Sequence, residues 1–132
     1  MRTQAYLRVV GEKAAIRALH REVNIPGAAI KEARYSAAGT PDDEKWLSWH
    51  TAIVDLDPND ENRGIVNLLV ECRPLLAALK RHKEPETEVI LEVVTRYRPN
   101  EGSPGLYLSA ESISLLSEFG GSLDHDAVPE VS

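Results

Sequence analysis

Apolar and polar positions alternate from the start of the chain. Thr3, Ala5, Leu7 and Val9 share one parity, and Gln4, Tyr6, Arg8 and Val10 the other. A period of two predicts a strand with one face in the core, and Gly11 is expected to end it. From Glu12 to Val23 the period lengthens. Ala15, Ile16, Leu19 and Val23 fall on one helical face, with Lys13, Arg17, Arg21 and Glu22 elsewhere. Asn24 and the Pro26-Gly27 pair stop this helix. Residues 28–36 alternate without a clean apolar face and predict a short, irregular edge strand. Residues 37–45 contain Gly39, Pro41 and the acidic run Asp42, Asp43, Glu44, which predict a solvated loop.

Trp46 to Leu56 is rich in aromatic and β-branched residues and predicts one central strand. Leu47, Trp49, Thr51 and Ile53 share a face; Trp46, Ser48, His50, Ala52 and Val54 share the other. Asp57 is placed to cap the next helix, with Pro58 in its first position. That helix carries a stripe of Ile65, Leu68, Leu69 and Cys72, continued by Leu75, Leu76 and Leu79. Pro74 interrupts the stripe. It lacks a backbone donor and clashes with the preceding turn, so a break is expected between Glu71 and Leu75.

Glu88 to Arg98 predicts a strand with Val89, Leu91, Val93, Thr95 and Tyr97 on one face and Ile90, Glu92, Val94, Arg96 and Arg98 on the other. Pro99 to Gly105 is expected to form a hairpin loop, and Leu106 to Leu108 a short returning strand. Ser109 then caps a helix whose stripe is Ile113, Leu116 and Phe119, with Leu115 beside it, closed by Gly120-Gly121. Ser122 to Val128 alternates again, ahead of a polar tail. The expected core is Leu7, Ile16, Leu19, Ile53, Leu69, Leu91, Val93, Leu108, Ile113 and Leu116.

The resulting order is β-α-β-β-α-β-β-α-β, an α+β class. Its first six elements match the ferredoxin-like split β-α-β, extended by a C-terminal β-α-β. A mostly antiparallel sheet with helices on one face is the natural layering. The 132 residues make one domain, 1–132. Apolar residues at 42% and charged residues at 27% belong to a globular chain. The only cysteine, Cys72, excludes an intrachain disulfide and fits a cytoplasmic location. No stretch is long and apolar enough for a signal peptide or a membrane span. A formal net charge of −6 without a basic stripe argues against nucleic acid and is compatible with a basic partner.

Three stretches carry a resemblance. They are the opening AYLRVVGEKAAIRAL, the tryptophan-bearing KWLSWHT, and the run GLYLSAESISLLSEFGGSLDHDAV, in which a short strand leads through a helix and a small-residue turn into "S-L-D-x-D". With the proline inside the second helix, they resemble a bacterial family, domain of unknown function four-two-seven-nine. The segment NIPGAAIKEARY departs from that family, whose members show a proline-threonine pair followed by an aromatic. The resemblance implies a fold and a bacterial origin, and no reaction.

Candidate chemistry is sparse. Asp124, His125 and Asp126 read as metal ligands in a row, but on a strand the aspartates face one way and the histidine the other. No metal and no cofactor is assigned. None of His20, His50, His82 and His125 stands in a metalloprotease spacing. Cys72 sits on an apolar stripe, where a thiol is inert. No P-loop, G-x-S-x-G or G-x-G-x-x-G occurs. The stronger candidate is a surface. On the sheet face away from the helices, Tyr6, Arg8, Trp46, His50, Arg96 and Arg98 are expected to form an aromatic-basic patch, the composition of interface hot spots. The favoured reading is a non-enzymatic protein-interaction module with a protein partner or as a homodimer, one version being an immunity-type protein that neutralises a toxin through an acidic surface. The alternative is a small enzyme or ligand-binding domain using the open face around His50.

Overall fold

A computed structural model describes residues 1–32 and 46–130 of the chain. The expected loop at 37–45 and the end of the edge strand at 33–36 lie outside the described residues. The rest is an α+β arrangement of four helices and a six-stranded, mostly antiparallel open sheet. The strands are β1 (Arg2–Glu12), β2 (Ala29–Glu32), β3 (Trp46–His50), β4 (Val54–Leu56), β5 (Glu88–Tyr97) and β6 (Ser122–Pro129). The helices are α1 (Lys13–Glu22), α2 (Glu61–Glu71), α3 (Pro74–His82) and α4 (Ala110–Glu118). Neighbours in the sheet run β2-β3-β1-β5-β6, with β4 beside β1. Only β5–β6 is parallel. Among the described residues, no helix is long and apolar enough to cross a membrane.

Parity on β1 works as the alternation requires. Ala5, Leu7 and Val9 are fully buried, while Tyr6 and Arg8 are half-buried. The strand does not stop at Gly11 but runs to Glu12. The buried row joins Val89, Leu91 and Val93 of β5 and the helix residues Ile16, Leu19, Ile65, Leu69 and Leu75 in one core. The helices therefore cover the odd face of β1; on its even face Gln4, Tyr6 and Arg8 stay partly exposed, while Val10 is buried beside Ser48 and Trp46 of β3.

The expected single strand from Trp46 to Leu56 is broken into β3 and β4. Val9 pairs with Trp49, yet Ala5 pairs with Val54, so one extra residue is accommodated between them. This is a bulge, and a one-residue slip exchanges the two faces. Thr51 holds it: its backbone N–H donates to the Leu7 carbonyl, and its Oγ1 accepts from the Leu7 N–H, each at 3.0 Å. Beyond the bulge Leu56 is buried and Ile53 is 58% exposed, so Ile53 is not a core residue.

Pro74 does break the second helix. α2 ends at Glu71 and α3 starts on Pro74 itself, where a missing N–H costs nothing. The cap at its start is Asp60, whose side chain accepts from the Arg63 N–H. Asp57 instead accepts from the Asn59 N–H in a turn, so the helix begins later than expected. Gly64 lets α2 lie close to the sheet, since a Cβ there would come within 2.6 Å of Leu56.

Two C-terminal expectations are corrected. Leu106–Leu108 is not a strand; it follows a 3-10 turn at Pro99–Glu101, with Leu106 and Leu108 half-buried against the core and Tyr107 exposed. On α4 the buried stripe is Ser112, Leu115, Leu116 and Phe119, leaving Ile113 51% exposed. Ser112 can be buried because Asn62 accepts from its hydroxyl at 2.8 Å. Gly120, at φ +62°, ends the helix in the left-handed conformation. The chain then enters β6 parallel to β5, so residues 98–121 are a crossover rather than a hairpin return.

Candidate functional site

The open face is built from the even residues of β1 and β5 and from their cross-strand partners. Tyr6 lies opposite Glu92, Gln4 opposite Val94, and Arg2 opposite Arg96. On the other side Arg8 lies opposite His50. The parallel register of β6 then sets Asp124 beside Glu92 and Asp126 beside Val94. Tyr6 meets His50 edge to face, with ring centroids 6.2 Å apart.

Of the six residues expected on this face, Tyr6, Arg8 and His50 come together there, while Arg96 shares the face but lies at its other end, opposite Arg2. Trp46 has the same parity but is buried, at 4% exposure, and offers no accessible ring. Arg98 lies beyond the end of β5, where its N–H donates to Glu101. The expected charge of the face is also revised. Arg8 is paired with Glu92 at 2.7 Å. Arg96 donates to Gln4 at 3.2 Å, and Gln4 in turn donates to Asp55. The patch is thus not simply positive. It grades from arginines on β1 and β5 to carboxylates on β6.

Glu92 is the residue that the patch expectation omitted. Its carboxylate is buried, and carboxylate oxygens of Glu92, Asp124 and Asp126 all lie within 4.8 Å of one another. Burial pushes the Glu92 carboxyl up to about 7; the Arg8 guanidinium opposes the shift, and hydrogen bonding and charge from Asp124 with the charge of Asp126 add to it. Burial, then the Glu92 charge, also raises the Tyr6 phenol. Three carboxylates offer hard oxygen ligands of the kind a divalent cation takes. Here the guanidinium of Arg8 already holds the cationic place beside the buried one. The signal for Glu92 was a lone acid between Ile90 and Val94 on one strand face; the aspartates joined it only through the pairing of β5 with β6.

His50 Nδ1 lies 3.0 Å from the Thr51 carbonyl. A carbonyl only accepts, so this contact assigns the proton to Nδ1 and leaves Nε2 as an acceptor in the neutral ring. Nε2 is shielded from solvent and has no hydrogen-bond partner among the described residues; the same is true of Arg8 Nε and Ser48 Oγ. His125 points to the other face and bonds Thr95 at 3.0 Å. Cys72 is fully buried, and burial pushes its thiol up to about 12, out of the range of a nucleophile.

One further concavity of about 860 Å³ lies between the C-terminal ends of α3 and α4. Leu76, Leu79 and Phe119 line it together with Lys80, Lys83 and Glu118, a mixture of charges that selects no ligand class. None of Tyr6, Arg8, Trp46, His50, Arg96 and Arg98 lines it.

The fold and face define an α+β protein with a charge-graded sheet surface ending at β6, whose outer side has no strand partner among the described residues. Comparison of the chain with family models, curated proteins and solved structures finds no match.

Proposed function

We propose that the chain is a non-enzymatic protein-interaction module that meets its partner on the open side of the sheet, at β6. The observation that carries this is β6 itself. It is eight residues long, it ends the sheet, and every residue in it but His125 is exposed. Leu123 and Val128 stand 39% and 40% exposed on its two faces. A long edge strand with bare faces is a ready template for another chain, and monomers normally shorten or cover it. A net charge of −6 and the aspartates of β6 support the immunity-type version, in which an acidic surface blocks a basic partner.

The test is a photoreactive residue at Val128, with a control at exposed Arg17 on α1. A discrete protein adduct at Val128 alone, lost on Asp124→Lys, is expected. Adducts of equal yield at both positions, or none at Val128, would overturn the reading.

A second reading is favoured by one observation, the His50 Nε2 beside Tyr6 and Arg8, which is shielded from solvent and has no hydrogen-bond partner among the described residues. On this reading the face is a small-molecule or catalytic site. Native mass spectrometry of the purified chain would then show a bound molecule that His50→Ala releases; a bare mass would end this reading.

The neighbour order β5-β1-β3-β2, antiparallel throughout, supports the ferredoxin-like arrangement with α4 and β6 as its extension. The buried thiol of Cys72 supports the cytoplasm as the compartment.

A further inference from the structure

Resting on the interaction reading above, we propose that β6 takes up an extended segment of its partner as an added strand, and that this segment carries Lys or Arg at alternate positions.

The edge supplies the affinity. No described residue pairs with the outer side of β6, so its free backbone N–H and C=O groups can form a ladder with an incoming chain. Only Pro129, the last residue of the strand, lacks a donor.

The side chains supply the selection. Asp124 and Asp126 lie on the open face, in register with Glu92 and Val94, while Leu123 and Ala127 lie on the other face beside Leu91 and Thr95. In an added strand, residues facing these two rows stand about 5 Å from them. The row opposite the aspartates meets a cluster of three carboxylates with one guanidinium, Arg8, on its inner side. Cations there relieve the repulsion; acids there add to it. The row opposite Leu123 and Ala127 meets two exposed apolar side chains flanking His125, whose half-buried imidazole is turned to Thr95. The fitting segment therefore alternates basic and apolar residues.

A second copy of this chain is the wrong occupant. Antiparallel pairing of two β6 strands about His125 sets Asp124 of each copy against Asp126 of the other. Like charges directly across a ladder are destabilising, and charged edge residues are a known device against self-pairing.

The test uses a short fluorescein-labelled peptide of alternating lysine and valine, one of alternating glutamate and valine, and the lysine peptide with alternate amides N-methylated. Fluorescence anisotropy is expected to rank the lysine peptide at least about tenfold above the glutamate peptide at low salt. N-methylation should abolish its binding, since it removes ladder donors. Asp124→Lys with Asp126→Lys should reverse the ranking. Amide shifts on the wild-type chain should centre on Leu123–Val128, a readout that does not depend on any variant folding. Equal binding of the N-methylated peptide would show charge attraction alone and overturn strand addition. No preference between lysine and glutamate, or shifts centred elsewhere, would overturn it too. A partner crosslinked at Val128 without these preferences sinks this proposal and spares the interaction reading. Peptide selectivity without any crosslinked partner sinks the interaction reading and leaves the strand-binding property in place.

Discussion

The guanidinium of Arg8 and the carboxylate of Glu92 lie 2.7 Å apart across the β1–β5 ladder, with the Arg8 side chain 34% exposed and that of Glu92 only 5%. The pair is lopsided. Arg8 retains part of its hydration, whereas Glu92 has given up nearly all of its own and faces two more carboxylates on β6. Removing the arginine strands a buried charge. Arg8→Ala is therefore expected to cost about 2–4 kcal/mol above neutral pH. The loss should shrink near pH 5, where Glu92 without its partner is protonated. Urea unfolding at both pH values measures this, and an equal loss at both would contradict it.

Glu92 also gives the chain a pH dependence of determined sign. Its folded carboxyl titrates at about 7, above its ordinary value. Between those values the folded state binds more protons than the unfolded one, so stability falls as pH rises. The contribution is full at low pH and lost as pH passes through about 7; its upper bound is about 3 kcal/mol. The urea midpoint should thus fall from about pH 5.5 to about pH 8.5. Glu92→Gln, neutral throughout, should flatten this slope. A wild-type midpoint that is level or rises over this interval would contradict the prediction.

Asn62 ties the crossover to α2. Its Oδ1 accepts from the Ser109 N–H at 2.9 Å and the Ser112 hydroxyl at 2.8 Å, and its Nδ2 donates to the Tyr107 carbonyl at 2.9 Å. Asn62→Ala leaves the buried Ser112 hydroxyl without this acceptor and should cost about 2–3 kcal/mol. Hydrogen exchange should speed up at Ser109 and along the first turn of α4 before it changes in β1. Uniform exchange across the chain would show that Asn62 does not act locally.

Ile53 and Leu91 separate the bulge from the core. Leu91 is fully buried, and Leu91→Ala should cost about 2–5 kcal/mol. Ile53→Ala, at a position 58% exposed, should change stability by less than about 0.5 kcal/mol. Chemical denaturation of the two variants checks this; comparable losses would contradict the exposed placement of Ile53.

Much of the architecture was legible along the chain because it is local. The side chains of a strand alternate whatever lies beside it, so the buried row of β1 and the mixed face of β5 could be read from Ala5, Leu7 and Val9 and from Glu92 and Arg96. Pro74 cannot sit inside a helix, so the α2–α3 break followed from covalent chemistry. What depends on partners could not be read this way. Ile53 left the core because the backbone of Leu7 captures Thr51 and admits one extra residue. Ile113 yielded its place to Ser112 because Asn62, distant in sequence, satisfies a hydroxyl there. Above all, the carboxylate cluster exists only because β6 runs parallel to β5 and sets Asp124 beside Glu92. Alternation decided which way each of these acids points, while the long-range register, chosen by the packing of the whole sheet, decided that they meet.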